Sequence, residues 1–256
     1  MRVERGAARG AARDAERLKI RPLISLSAPA DALYAYYAFY HDPKRTELTI
    51  HEEDEGRADG FVAVCQTGQR LFQPTVVLRT PKARVAVELL REALTPGRPY
   101  YLITTLDLRE AAAEVVEMTD VEINRVYEID LSRFEYEVNV LVVAEEGIEE
   151  RPRFLVRSQE EIVAEAGVTW FSGHFAEVTI RATPPARERG FARSVLGACT
   201  RWVIRSGRRP LTIVGITDDS TTALVEAVGY VDTGARELAG DVVCRHGSGN
   251  VQSPTE

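Results

Sequence analysis

The segment from Phe175 to Ser194, FAEVTIRATPPARERGFARS, contains the residue types of an anion-binding loop. A β-rich stretch is followed by two prolines, then by Arg187, Arg189 and Gly190, and then directly by an amphipathic helix pattern. Glycine permits a tight turn of the backbone, and the amides at the start of a helix point at one spot beside the positive end of the helix dipole. The segment therefore predicts binding of a phosphate or pyrophosphate group.

The spacing Arg187-x-x-Gly190-x-Ala192 is similar to the pyrophosphate motif of the GNAT N-acetyltransferase superfamily. That motif reads Gln or Arg, two residues, Gly, any residue, and then Gly or Ala. The later run LVEAVGY resembles the closing helix and Gly-aromatic pair of the family, so that the resemblance covers roughly residues 138–240. It implies a GNAT fold, which is a mixed α/β fold with a central, mostly antiparallel twisted sheet flanked by helices.

The resemblance further implies an acyl-CoA-dependent N-acyltransferase that uses acetyl-CoA, needs no metal and transfers the acetyl group directly to an amine. Glu177 is positioned like the general-base glutamate in the similar FAE strand of histone acetyltransferases. Since an amine of pKa about 10 is mostly protonated at neutral pH, a carboxylate must help to remove its proton. His174, in the preceding turn, is a reserve candidate for the same role. The expected cofactor-binding residues are Ile180, Arg181, Ala182, Arg187, Glu188, Arg189, Gly190, Phe191, Ala192, Arg193, Ser194 and Asp218.

Two positions depart from the family pattern and leave two other functions open. Val225 stands where a tyrosine often protonates the leaving thiolate, and Asp218 or Asp219 stands where an asparagine often precedes the last helix. These departures favour a non-catalytic acyl-CoA-binding regulatory module as one alternative. The other is an α/β protein that binds a nucleotide or a phosphorylated metabolite, although the sequence contains no complete Walker or dinucleotide signature.

Helix and strand patterns alternate in the same order in both halves of the chain, which is typical of two tandem GNAT-like halves. In the first half, SAPADALYAYYAFYHDP, ARVAVELLREAL and LREAAAEVVEM predict helices, and TELTIH, GFVAVCQ, PTVVLRT, PYYLITT and VYEIDL predict strands. In the second half, NVLVV, RFLVRS, IVAEAGVTW, HFAEVTIRAT, LTIVGIT and YVDTGAREL predict strands, the last at a sheet edge. FARSVLGACTRWVIRS, with Trp202 facing inward, and STTALVEAV predict helices.

These patterns predict four regions. Residues 1–22 form a flexible basic tail, 23–135 an N-terminal GNAT-like half that does not bind CoA, 136–245 the acetyltransferase domain and 246–256 a disordered tail. The N-terminal half contains no Arg-x-x-Gly-x-Ala sequence. The aromatic residues of its first helix, Tyr34 to Tyr40, are expected in a core.

Composition excludes several other classes of function. The net charge of −7 disfavours a nucleic-acid-binding protein, and apolar runs are too short to cross a membrane. The N-terminus lacks a secretory pattern, so a cytoplasmic location is expected, with its three cysteines reduced and structural. His41 and His51, each followed by acidic residues, lack regular metal-ligand spacing and are expected on a solvated surface. The expected partner is a small-molecule or peptide amine, and an exposed edge strand could pair with its counterpart across a homodimer.

Overall fold

Helices and strands alternate along the chain largely as the sequence patterns predict. The computed structural model describes residues 15–53, 56–68, 70, 72–137, 139–147 and 151–246. The strands are β1 (Thr46–Glu52), β2 (Ala58–Cys65), β3 (Thr75–Arg79), β4 (Pro99–Thr105), β5 (Val116–Ile129), β6 (Val143–Glu146), β7 (Pro152–Ser158), β8 (Glu161–Phe171), β9 (Phe175–Ala182), β10 (Arg209–Gly215) and β11 (Tyr230–Cys244). The helices are α1 (15–20), α2 (Ala32–Ala35), α3 (Ala83–Ala93), α4 (Arg109–Ala113), α5 (Pro184–Glu188), α6 (Phe191–Arg205) and α7 (Asp219–Val228).

The chain divides into two compact units whose bounds differ from the predicted division after residue 135. Of the described residues, the first unit comprises those up to Ser25, those of Tyr37–Glu122 and those from Glu237 onward, and the second comprises those of Leu26–Tyr36 and Ile123–Arg236. The difference arises because β5 and β11, which are 14 and 15 residues long, each contribute residues to both units.

In the first unit, α3 and α4 lie against a sheet whose strand order is β1-β2-β3-β4-β11. β3 and β4 are parallel, and the other described strand pairs of this unit are antiparallel. Val85 and Leu89 are spaced one helical turn apart, so both point to the same face of α3, where they are buried. They pack with Val62, Val76, Leu78, Leu102 and Val242 of the sheet.

The second unit repeats this arrangement with α6 packed on the strands β7 to β10. Its strand order is β5-β10-β9-β8-β7-β6, and only the β9–β10 pair among the described pairs of this unit is parallel. The inward face of α6 carries Val195, Leu196, Cys199 and Val203, all of them fully buried. Apolar side chains at helical spacing thus fix this helix on the sheet, as predicted.

Both units contain a strand-helix-strand crossover between parallel strands, β3-α3-β4 and β9-α6-β10, followed by a helix and a long strand. However, β4 pairs with β11 instead of the following strand β5, and β10 pairs with β5 instead of β11. Each half of the sequence therefore supplies a strand to the sheet of the other half. The predicted mixed α/β fold with a mostly antiparallel sheet flanked by helices is confirmed.

Three sequence predictions about the elements were wrong because tertiary pairing overrode local patterns. The run LREAAAEVVEM is helical only to Ala113, since Val116 already begins β5. The run YVDTGAREL is not an edge, because β11 lies between β4 and β5. Trp202 does not face inward, as its side chain is 39% exposed on the outer face of α6.

Smaller differences concern the turns and tails. The run NVLVV is mostly a turn, and β6 begins only at Val143. The two prolines before the anion loop begin the short helix α5, because proline is compatible with the first helical positions. The run after Ser27 is helical, but it passes from a 3₁₀ turn through α2 into a π-helical turn at Tyr36–Tyr40. Residues 1–14 and 247–256 of the predicted tails lie outside the described residues, whereas residues 15–20 are helical and Ile20 is buried.

Candidate active site

The strands β9 and β10 pair over only three residues and then separate. Arg209 to Leu211 pair with Phe175 to Glu177, but β9 continues to Ala182 and β10 to Gly215 without further pairing between them. On its other side β9 stays paired with β8 along its whole length. One edge of β9 beyond Glu177 is therefore open in this fully described stretch of chain.

The backbone of Ile180 and Ala182 points toward that open edge. The amide of Thr183 donates to the carbonyl of Val163 at 2.9 Å, so this pair of residues is hydrogen-bonded between the two strand ends. Antiparallel strands alternate hydrogen-bonded with non-bonded pairs, which makes Ile180–Ala166 and Ala182–Ala164 non-bonded pairs. Their peptide groups consequently face away from β8. Arg181 has the opposite backbone orientation, and its side chain is exposed.

Gly190 ends the loop and forms the N-cap of α6. Its φ of 74° is left-handed, a conformation that glycine adopts without strain. A Cβ atom built on Gly190 would find no atom within 4 Å, so the space above it is open. The first-turn amides of Phe191, Ala192 and Arg193 have no acceptor within the helix, and no N-cap side chain satisfies them. Three N–H donors and the positive end of the helix dipole thus face this space.

Several backbone amides of this loop already donate hydrogen bonds to carbonyl groups of the protein. Fewer of its amides can therefore bind a ligand than the motif predicts. The amide of Arg187 donates to the Thr183 carbonyl, that of Arg189 to Pro185, and that of Gly190 to Arg187. The Ser194 amide and hydroxyl both donate to the Gly190 carbonyl. Only the amides of residues 191–193 therefore remain available to an anion in this loop.

The arginines of the motif lie in different places. The Arg187 guanidinium donates to the hydroxyls of Ser220 and Thr221 at 2.5 and 3.5 Å, and so it joins the loop to the start of α7. Arg189 lies over the ring of Phe191, 4.6 Å from its centroid, while Arg193 and Glu188 are exposed. The loop therefore keeps positive charge next to the open space, but Arg187 also has a structural role.

Asp218 acts as the N-cap of α7. Its carboxylate accepts a hydrogen bond from the Thr221 amide at 2.9 Å. Burial acts to raise its pKa, but the hydrogen bonds of Thr221 and the nearby charge of Arg187 outweigh burial, so the pKa of Asp218 is lowered. Val225, on the same helix, is completely buried and offers no proton donor.

Glu177 lies on β9 at the point where the strands separate. Its carboxylate accepts a hydrogen bond from the Thr169 hydroxyl of β8. Burial raises the pKa of Glu177, and the side chains of Thr169 and Trp170 partly oppose that rise. A carboxylate with a raised pKa is better suited to accept a proton near neutral pH than an ordinary surface glutamate.

Several residues that contact this site were not identified from the sequence. Trp170 pairs with Glu177, the Thr169 hydroxyl donates to the Glu177 carboxylate, and Asn139 donates to the Ser194 hydroxyl at 3.0 Å. None belongs to a recognisable motif, although strand alternation alone could have suggested β8 residues as neighbours of β9. Their contacts depend on strand register, which the sequence does not reveal.

The other candidate residues lie apart from this arrangement. His174 is exposed in a turn, as predicted. His41 is not on a solvated surface: it is buried, with its Nδ1 atom 2.7 Å from the Thr46 hydroxyl. The two ring nitrogens of His51 contact the carboxylates of Asp59 and Glu88 in the first unit.

Other expectations concern cysteines, metals and membranes. All three cysteines are free and buried. Within the described residues, no three side chains of metal-ligating type are grouped for a metal ion. Over the same part of the chain, the helices are too short or too polar to cross a bilayer.

Comparison with known proteins identifies the fold. No protein-family model and no curated protein match the sequence. Among solved structures, the chain is similar to a GCN5-related N-acetyltransferase from Kribbella flavida, with a TM-score of 0.57, 13% identity and coverage of 87% of this chain and 98% of that one. For a putative GNAT acetyltransferase from Novosphingobium aromaticivorans the TM-score is 0.55, at 13% identity over 72% of this chain and 89% of that one.

A third similar structure is a tandem GNAT protein from the clavulanic acid biosynthesis pathway, with a TM-score of 0.52, 14% identity and coverage of 86% of this chain and 89% of that one. Identities of this size establish a shared fold and not a shared activity. The two crossover units, the separated parallel strands and these structural matches together show that the chain has the GNAT fold.

Proposed function

We propose that this protein is an acyl-CoA-dependent N-acyltransferase that transfers the acetyl group of acetyl-CoA directly to an amine. The observation that carries this proposal is the open edge of β9, which runs from Glu177 toward the loop that ends at Gly190. A carboxylate, peptide groups that β8 does not pair and free helix amides follow one another along this edge, where the Ala182 carbonyl also accepts a hydrogen bond from Arg187 Nε at 3.5 Å. The GNAT fold supports the same interpretation.

The residues along this edge suit successive parts of acyl-CoA. The peptide groups of Ile180 and Ala182 can pair with the pantetheine amides as an added strand would. The amides of Phe191, Ala192 and Arg193 can bind the pyrophosphate at the positive end of α6. Acetyl-CoA, when bound, supplies an activated thioester.

Glu177 supplies the proton acceptor for the reaction. As the amine nitrogen attacks the thioester carbonyl carbon, the C–N bond forms and the proton leaves nitrogen for the carboxylate. The C–S bond then breaks, with its electron pair passing to sulfur. A thiol of pKa about 8.5 leaves as a thiolate at modest cost near neutral pH, so transfer does not require a tyrosine at the position of Val225.

The buried Val225 nevertheless favours one second candidate, a regulatory module that binds acyl-CoA without transferring the acyl group. Val225 is fully buried and cannot approach a ligand. The two candidates share the binding site and differ only in turnover. They are therefore separated by whether CoA thiol is released, and not by whether acetyl-CoA binds.

We infer that the corresponding position of the first unit does not take a pyrophosphate. Lys82 is the N-cap of α3, and its ammonium group is bound by the carboxylates of Glu53 and Asp59. The lysine amide donates to the Thr80 hydroxyl at 3.2 Å. A phosphate at this helix end would have to approach two carboxylates, which disfavours it.

Calorimetric titration of the full chain with acetyl-CoA, with ATP and NAD in parallel, tests the proposed site. We expect micromolar binding of acetyl-CoA and no heat from ATP or NAD. Binding of ATP or NAD in preference to acetyl-CoA would instead support a nucleotide-binding function. Absence of acetyl-CoA binding would refute both acyl-CoA-dependent candidates.

A thiol-release assay with primary amines then tests transfer. Release of CoA that depends on the amine, together with a product heavier by one acetyl group, would support the acyltransferase. Tight binding of acetyl-CoA without release across aliphatic amines, amino acids and peptide N-termini would support the regulatory module.

A further inference from the structure

The strand β8 contains a β-bulge opposite Glu177. Val168 pairs with Val178, but the next partner of β9, Glu177, pairs with Trp170. Thr169 is thus an extra residue between two successive pairs. A bulge redirects side chains and increases the local twist of a strand, and bulges are frequent beside active sites.

The bulge places two successive residues of β8, Thr169 and Trp170, beside Glu177. The Thr169 hydroxyl donates a hydrogen bond to Glu177 Oε2. Trp170 is 3% exposed and stacks on Tyr36, with ring centroids 5.1 Å apart and an angle of 19° between the rings. In a regular strand only one of two successive side chains could face Glu177, so both contacts depend on the extra residue.

Building on the proposed function, we propose that Thr169 is a positioning residue that holds Glu177 through Oε2 and leaves Oε1 to accept the proton of the amine. The proton passes from nitrogen to Oε1 while the C–N bond forms, and the Thr169 proton stays on its own oxygen.

The hydroxyl also sets the range of pH over which Glu177 accepts a proton. Burial raises the pKa of Glu177, while the hydrogen bond from Thr169 and the nearby Trp170 side chain lower it, and no charged group of the described chain contributes. A donor to a carboxylate favours the ionised form. Removal of the Thr169 hydroxyl therefore raises the pKa of Glu177 further, and the acid limb of the rate profile moves to higher pH.

Two variants separate this role from simple packing. Thr169→Val keeps the shape of the side chain and removes the donor, whereas Thr169→Ser keeps the donor and removes a methyl group. For Thr169→Val we expect kcat/KM on the acid limb to fall about tenfold or more, with recovery at alkaline pH, because a hydrogen bond to a charged group is lost. Thr169→Ser is expected to keep the wild-type limb, and both variants are expected to bind acetyl-CoA with unchanged affinity.

The titration of the Glu177 carboxyl group, followed by ¹³C NMR of the full chain and assigned with Glu177→Gln, provides a readout that does not require turnover. A shift to higher pH in Thr169→Val and none in Thr169→Ser supports the positioning role, even if no amine is found to react. An unshifted titration in Thr169→Val, or an equal shift in both variants, overturns it. Failure of the proposed function would appear separately, as a wild-type protein that does not bind acetyl-CoA.

Discussion

Replacing Gly190 by aspartate should weaken acetyl-CoA binding by about tenfold or more without unfolding the protein. Gly190 has a φ of 74°, and a Cβ atom there would meet nothing within 4 Å. Aspartate is among the residues that tolerate this left-handed conformation, and it is also a favourable N-cap residue. The variant therefore adds a negative charge where the pyrophosphate is expected, at little cost to the fold.

The magnitude follows from the position of the new charge. At a separation of about 4 Å, two unit charges interact by roughly 1 kcal/mol in bulk water and about 4 kcal/mol at the effective dielectric of a protein surface. A pyrophosphate carries more than one charge. Since about 1.4 kcal/mol corresponds to a factor of ten in Kd, the affinity should fall by about tenfold to a hundredfold.

Gly207 provides the matched control at the other end of α6. Its φ is 78°, and a Cβ atom there also meets nothing within 4 Å. Gly207→Asp makes the same change in net charge and in backbone strain, but it lies beyond the C-terminus of the helix. Calorimetry should show weakened acetyl-CoA binding in Gly190→Asp alone. Thermal unfolding should show that both variants remain folded. Affinity within about twofold of wild type in Gly190→Asp, or equal weakening in both variants, would refute the assignment of the pyrophosphate to this loop.

Three further changes test separate parts of the structure. Glu177→Gln should keep acetyl-CoA affinity but slow transfer by about 10²–10⁴-fold. It should also remove the acid limb of the pH–rate profile that the raised pKa of Glu177 produces. Steady-state rates equal to wild type across pH would exclude Glu177 as the base. Gly240→Ala should lower the free energy of unfolding, measured in urea, by about 1–3 kcal/mol, because the new Cβ would lie 2.7 Å from the Val121 Cα. Gly167→Ala is the control: its nearest contact is at 3.5 Å, so it should lower the free energy of unfolding much less. Asp218→Ala should cost about 1 kcal/mol by loss of the N-cap. Because the folded pKa of Asp218 is lowered, that contribution is present above the unfolded pKa and disappears as pH falls through the folded pKa, which thermal unfolding at several pH values would detect.

The sequence predicted the turn at Gly190 and the helix after it well, because the signals for these elements are local. Gly190 at a left-handed φ, Gly229 at the end of α7 and the apolar face of α6 each depend on neighbours within a few residues. The same locality explains one error. The run LREAAAEVVEM has good helical propensity, but the pairing of β5 in the sheet takes over from Val116 onward.

The contacts that define the carboxylate site could not be predicted, because they depend on strand register. Nothing in the sequence indicates that Thr169 is the extra residue of a bulge, and a regular register would have turned either Thr169 or Trp170 away from Glu177. The role of β11 is hidden for the same reason, since its partner β4 precedes it by more than 120 residues. Long-range pairing of this kind leaves no periodic signal in either strand.

The separation of β9 from β10 connects the local motif, which the sequence reveals, with long-range strand pairing, which it does not. The motif identified the helix end at which we propose that an anion binds, and the open strand edge beside it depends on a parallel pair that stops after Glu177. If β10 paired with β9 as far as Ala182, the peptide groups of Ile180 and Ala182 would be satisfied by the sheet, and a ligand would find only a helix terminus. The exchanged strand β5 pairs with β10 from Leu211 to Gly215 and so holds β10 on its far side, away from the open edge. The strand supplied by the first half of the chain therefore helps to keep the site of the second half open.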